Sequence, residues 1–121
     1  MTINPIMEIE EVTLEEVVDK IAQFYDPNQW NFITINGTDL GGKIQVDWLF
    51  SKYFEKNRIK IFRAFVDYDA KIPSILSIIP SAWLAEWELA DMFGLEVEGA
   101  QTGVFVAPDA PKAPLRKDTK L

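Results

Sequence analysis

Glu86, Glu88 and Asp91 crowd into one short apolar stretch, Trp83-Leu-Ala-Glu86-Trp-Glu88-Leu-Ala-Asp91-Met-Phe93. Carboxylates so placed could do two kinds of chemistry. A carboxyl group in apolar surroundings has a raised pKa and can act as a general acid, and two carboxylates three residues apart on a helix can share a cation. Neither reading finds its usual partners. Glu86 has no second carboxylate or base in view, and a pair of carboxylates without histidine is a weak metal site. A solvated helix face or a contact with another subunit accounts better for Glu88 and Asp91. A free-standing enzyme built on these carboxylates is the minor reading.

The chain of 121 residues has no cysteine and no histidine. Without cysteine it has no disulfide, no thiol nucleophile and no thiolate to hold an iron–sulfur cluster. Without histidine it lacks the commonest general base and the commonest transition-metal ligand. The net charge is −7. The acidity lies in the body, because Lys112, Arg116, Lys117 and Lys120 outnumber Asp109 and Asp118 at the end. An acidic body is a poor partner for phosphate backbones, so nucleic acid is not expected. No apolar run reaches the roughly 18–20 residues that cross a bilayer. Met1 to Val12 alternates apolar and acidic residues and does not read as a secretory signal. The expected location is cytoplasmic, with any membrane contact made through a partner.

Around the carboxylates the periodicities define an α+β domain. Thr13-Leu-Glu-Glu16 is a capping box that opens a helix, and Leu14, Val17, Val18, Ile21, Phe24 and Tyr25 line one stripe of it. Asp26-Pro27 stops it. Three strand-like runs follow: Gln29 to Thr38, ending at Asn36-Gly37 and Gly41-Gly42, then Lys43 to Tyr53 and Arg58 to Tyr68. Ile44, Val46, Trp48 and Phe50 share one face of the second run. Ile59, Ile61, Arg63 and Phe65 share a face of the third, opposite Lys60, Phe62, Ala64 and Val66. Short polar connections make an antiparallel meander with the opening helix on one side. Ser74 to Ile79 is read as a helical turn, broken by Pro80. Ser81 is read as the cap of a second, Trp-rich helix ending at Phe93, with Gly94 in the stop position. Glu96 to Val106 reads as a short hairpin or extended segment. Residues 1–107 form one domain, and the prolines at 108, 111 and 114 keep residues 108–121 as an extended tail.

The second helix carries more apolar surface than a small sheet requires. From Met92 round to Trp87 more than half its circumference is apolar, which implies burial on two sides, one of them against another chain. Glu86 falls inside that arc, where a carboxylate needs a partner. Arg63 or a cation on a neighbouring subunit is the expected one. Trp83, Phe93, Gly94 and Glu86 are read as structural, and Trp87 as the outward anchor.

Pro80-Ser-Ala82, then Glu86-Trp-Glu88-Leu-Ala-Asp91-Met-Phe-Gly94, then Glu98-Gly99, and later Pro114-Leu-Arg-Lys-Asp118 resemble a known family in order and spacing. It is the C-type, thirty-kilodalton subunit of respiratory complex I, with its counterparts in energy-converting membrane-bound nickel–iron hydrogenases. That family reads Pro-Ser-Ala, Glu-Arg-Glu-x-x-Asp, Phe-Gly, Glu-Gly and a late Pro-Leu-Arg-Lys-Asp. This chain departs from it at Trp87, where complex I members have arginine, at Ala100-Gln101 in place of His-Pro, and at Ala113 in place of histidine. With the short length, these departures favour the hydrogenase-type version over a quinone-reducing one.

The resemblance implies an accessory subunit with no catalytic residue and no cofactor of its own. Iron–sulfur clusters and the nickel–iron site would belong to its partners. It would dock on a large hydrogenase-like subunit, near a cluster-bearing small subunit, at the cytoplasmic face of the membrane in a ferredoxin-linked, ion-translocating complex. Trp87, Glu88, Asp91, Pro114, Leu115, Arg116, Lys117 and Asp118 would make the partner contacts. The alternatives are the equivalent subunit of a quinone-type oxidoreductase, or a free adaptor using the Trp-rich helix.

The purified, untagged chain should therefore carry no iron, nickel or flavin and show no visible absorbance. Elemental analysis checks this, and stoichiometric metal retained after chelation would contradict it.

Overall fold

A computed structural model describes residues 6–55, 57–100 and 113–115. Its element order is β1 (Ile6–Glu11), α1 (Val17–Phe24), β2 (Trp30–Asp39), β3 (Ile44–Lys52), β4 (Arg58–Val66), β5 (Lys71–Ile72), a 3-10 turn (Pro80–Ala82), α2 (Trp83–Phe93) and β6 (Glu96–Val97). The main sheet runs β1-β4-β3-β2, and β5 and β6 make a separate two-stranded pair. The meander β2–β3–β4 is antiparallel, as the sequence implies, but β1 joins its outer edge parallel to β4. Sequence reading gave Ile6 to Glu11 no strand. Its alternation is masked by glutamates on both parities, and two of them, Glu8 and Glu10, are matched by cations elsewhere in the chain. Glu8 meets Arg58 at 2.8 Å, and Glu10 meets Lys60 at 3.0 Å and Lys20 at 3.6 Å. Hydrogen bonding to Lys60 is the main cause that lowers the Glu10 pKa.

Strand alternation decides where the core lies. Ile44, Val46, Trp48 and Phe50 of β3 are fully buried, beside Phe62, Ala64 and Val66 of β4. α1 lays Val17 and Ile21 into this face, and its Phe24 ring meets Phe50 and Phe62 edge-on with centroids 5.3 Å away in each case. The capping box contributes through Glu16, whose side chain accepts the Thr13 N–H at 3.0 Å. Asp39 closes the β2–β3 connection by accepting the Gly41 N–H at 2.8 Å and the Tyr68 hydroxyl at 2.8 Å.

α2 packs on the same face, over β2. Leu89, Ala90 and Phe93 join the core. Gly37, read from sequence as part of a strand-ending signal, lies inside β2 opposite Val46. A Cβ at Gly37 would sit 2.6–2.9 Å from the Phe93 ring carbons, so a hydrogen there is what lets the helix approach. Gly94 ends α2 at φ 65°, with its N–H on the Ala90 carbonyl at 2.9 Å. Two local readings are corrected. Ser81 lies within the 3-10 turn that Pro80 opens and does not cap α2. The turn before it closes on the Ile75 carbonyl, which accepts from Ile78 and Ile79, and leaves Ser74 outside. After α2, β6 pairs parallel with β5, and residues 101–106, where the rest of the expected hairpin or extended segment falls, lie outside the described ones.

Gly37→Ala should destabilise the domain by about 1–3 kcal/mol, the usual cost of overpacking a filled site. A melt of the full chain checks this, and an unchanged midpoint would mean that Phe93 is free to give way.

Candidate functional site

Helix α2 carries the motif, and its side chains divide by where they point. Glu86, Leu89, Ala90, Asp91 and Phe93 are buried. Trp83 and Leu84 are 44% and 47% exposed, Glu88 is exposed and Trp87 is half-buried. Trp83 and Trp87 pack edge-to-face, centroids 5.2 Å apart and planes at 77°. The apolar surplus of the helix therefore faces outward as a ridge of Trp83, Leu84 and Trp87 bordered by Glu88. Trp83, expected to be internal, shares that surface with Trp87. Asp91 shares the helix side of Trp87 and Glu88 but is only 6% exposed, so Glu88 and Asp91 do not form an open carboxylate pair. Among the described residues there is no group of three or more potential metal ligands.

Glu86 is 1% exposed, as the helical geometry predicted, but its partner differs from the expected arginine. Its carboxylate accepts the Ser74 hydroxyl at 2.8 Å and the Ile75 N–H at 2.7 Å. Ser74 in turn accepts the Leu76 N–H at 3.1 Å. Arg63 cannot reach it. Phe62 and Ala64 face the core, so Arg63 between them faces away from both helices, where Nε and Nη2 grip Asp47 at 2.9 and 3.1 Å. That hydrogen bonding raises the Arg63 pKa further. Glu86 is thus a clamp. It ties α2 to the segment that leads from β5, satisfying backbone and hydroxyl donors that would otherwise be buried unpaired. Sequence reading missed Ser74, although a serine before a buried stretch is a plausible donor to a buried carboxylate.

Burial raises the Glu86 pKa and the nearby charge of Glu98 adds to this, while the Ile75 N–H and the Ser74 hydroxyl act against it. A group that takes up its proton more readily when folded favours the fold at low pH, and that contribution is lost as pH rises through the folded-state value.

The C-terminal motif meets the same helix. The Leu115 N–H donates to the Met92 carbonyl at 2.8 Å, one of the carbonyls a helix end leaves open. Leu115 borders a small cavity of about 100 Å³ with Ile35, Gly37, Glu88, Met92 and Phe93. Its side chain stays 55% exposed, and Pro114 is exposed beside it. Arg116, Lys117 and Asp118 lie outside the described residues.

These features make α2 and the Pro114–Leu115 turn one continuous surface of aromatic, aliphatic and acidic groups. Comparison with known proteins gives that surface its context. Residues 7–121 match the family described as the respiratory-chain NADH dehydrogenase 30 Kd subunit. The chain belongs to that family. It is 34% identical over 86 residues to the C-type subunit of the NADH-quinone oxidoreductase of Acidothermus cellulolyticus, a match covering 69% of this chain and 45% of the relative. The match thus spans less than half the length of that relative. The fold is similar, with a TM-score of 0.78 and 21% identity, to a chain in the structure of the membrane-bound sulfane sulfur reductase, an archaeal respiratory membrane complex. That likeness covers 95% of this chain and 72% of the other. No described helix is long and apolar enough to cross a membrane.

Glu86→Leu should lower stability by about 1–3 kcal/mol for each donor left unpaired, whereas Glu86→Gln, which keeps an acceptor, should lose much less. Thermal midpoints followed from pH 7 down towards pH 4.5 should rise for the wild type relative to Glu86→Gln. Parallel curves would mean that Glu86 does not titrate differently in the two states.

Proposed function

We propose that this chain is a non-catalytic docking subunit of a complex I-like, membrane-associated respiratory oxidoreductase. The observation that supports it most is the family match over residues 7–121, which takes in both α2 and the tail motif. The outward ridge of Trp83, Leu84 and Trp87 fits the role, since large aromatic side chains supply most of the binding energy at protein interfaces. Trp87 and Glu88 contact the large subunit, with Asp91, buried on the same side of the helix, beside them. The tail adds Leu115 as an apolar peg. Arg116 grips a partner carboxylate in two-pronged fashion, flanked by Lys117 and Asp118, and Pro114 limits the entropy lost on docking.

In this reading the clusters and the redox-active metal belong to the large subunit and a neighbouring cluster-bearing small subunit. The chain itself, without cysteine or histidine, contributes no ligand to them. It sits on the cytoplasmic face of the membrane and reaches the bilayer only through the complex. The finer reading is a ferredoxin-linked, ion-translocating complex of the energy-converting nickel–iron hydrogenase type. It draws on Trp87, Ala100-Gln101 and Ala113, which stand where quinone-reducing members carry arginine, His-Pro and histidine. A second reading, the equivalent subunit of a quinone-type oxidoreductase, is favoured by the 34% identity to a subunit of an NADH-quinone oxidoreductase.

The test is co-purification of the tagged chain from detergent-extracted native membranes. The wild type should elute with a large and a small subunit. A chain truncated after Ala107 should lose stable incorporation, and Arg116→Glu should reproduce most of that loss. The truncated chain should still melt within a few degrees of wild type, because the Leu115 N–H to Met92 carbonyl bond is worth about 0.5–1.5 kcal/mol and the leucine itself is half-exposed. Recovery of the truncated chain at normal stoichiometry would remove the tail from the docking surface.

A further inference from the structure

Both helices lie on one face of the main sheet, and the opposite face is apolar over one part of it. On it, register sets Met7 beside Ile59, Ile9 beside Ile61, and Ile61 beside Leu49. Met7 is 55% exposed, Ile9 51% and Ile33 44%, while Ile61 between them is 6% exposed. Ile33 sits at the irregularity in β2 between Phe32 and Thr34, which turns it out. A one-sided antiparallel sheet usually reads apolar inward and polar outward. Here three adjacent strands turn aliphatic side chains to this face at the same level, Ile61 buried between its neighbours and the exposed surface lying at Met7 and Ile9 of β1 and at Ile33 of β2, and exposed apolar surface of this kind marks an interaction site.

The next row along the strands is charged, and it identifies the occupant. Glu11, Arg63 and Asp47 stand side by side across β1, β4 and β3. Arg63 is held by both oxygens of Asp47. Glu11 is exposed, and no cation among the described residues pairs with it, so this row carries one uncompensated negative charge at the margin of the aliphatic patch. A second copy of the chain would bring the same surplus carboxylate and a further net charge of −7. A two-fold contact of this face with itself is therefore opposed by like charge.

We infer that the helix-free face of the sheet is a second docking surface, occupied by a partner subunit that presents aliphatic side chains with a lysine or arginine opposite Glu11. The inference rests on the docking-subunit reading and extends it: α2 and the tail hold the chain from one side of the domain, and the bare sheet face is covered from the other. The chain thereby bridges two protein surfaces.

The experiment uses the full chain, tagged and expressed in its own host, with Ile9→Glu, Met7→Glu and Glu11→Lys as separate variants. Each is recovered with detergent-extracted complex, and each purified chain is melted and sized alone. Ile9→Glu and Met7→Glu should keep the wild-type midpoint within a few degrees and reduce the chain recovered per complex by about tenfold or more. Glu11→Lys should reduce it in the same direction, more strongly at low salt. Met7, nearer the start of the same edge strand, serves where Ile9→Glu perturbs folding. Full recovery of a folded Met7→Glu or Ile9→Glu chain would overturn the inference and leave the docking reading intact. Absence of the wild-type chain from any complex would instead defeat the docking reading itself. A wild-type chain that sizes as a dimer, and becomes a monomer on Ile9→Glu, would assign the face to a second copy and likewise overturn the proposal.

Discussion

The pairing of β3 with β4 is the constraint on which everything else depends. Trp48 opposite Phe62, and Val46 opposite Ala64, fix which side of the sheet becomes the core. A slip of one residue would send the aromatic residues outward and bring Asp47 and Arg63 in. With the register set, α1 has one apolar surface to cover and α2 has the remainder over β2. The other face inherits the Asp47–Arg63 pair and an aliphatic patch. One alternation thus determines the position of the motif helix, the isolation of Glu86 from Arg63 and the two-sidedness of the domain.

Close approach and a buried carboxylate then hold α2 in place. Gly37 lets the Phe93 ring lie against the backbone of β2. Glu86, on the same side two turns earlier, fastens the start of the helix to Ser74 and Ile75. A helix held at both places presents Trp83, Leu84 and Trp87 on a rigid support, so a partner need order little on docking. Glu86, the residue most suggestive of acid–base chemistry in the sequence, therefore has a structural account that leaves none of its oxygens idle.

Much of this was legible in the residues. Period-two alternation marked β3 and β4 and divided their faces, aromatic and β-branched composition marked β2, and Gly94 marked the end of α2, whereas α1 begins at Val17, one turn after the Thr13 cap that the capping box implied. Helical geometry placed Glu86 on the buried arc. What escaped was non-local. β1 is stabilised by ion pairs to residues about fifty positions away, and β5 and β6 are two residues each, so neither carries a local pattern. Gly37 looked like turn punctuation because only the ring of Phe93 explains it. Arg63 was a reasonable partner for Glu86 by charge, yet its alternation with Phe62 and Ala64 sends it to the far face. Trp83 and Trp87 could not be ranked by exposure from periodicity, since both belong to an arc that is apolar throughout.

The central claim is that this domain works by contact, with the α2 ridge as its principal docking surface. Hydroxyl-radical footprinting of the full chain, alone and within the detergent-purified complex, measures this directly through the oxidation rates of individual aromatic and aliphatic side chains. Trp83, Leu84 and Trp87 should be oxidised readily in the free chain and protected in the complex, while Tyr53 and Phe54 at the far β3–β4 turn provide an exposed internal reference. Equal oxidation of Trp83 and Trp87 in the two states would contradict the account.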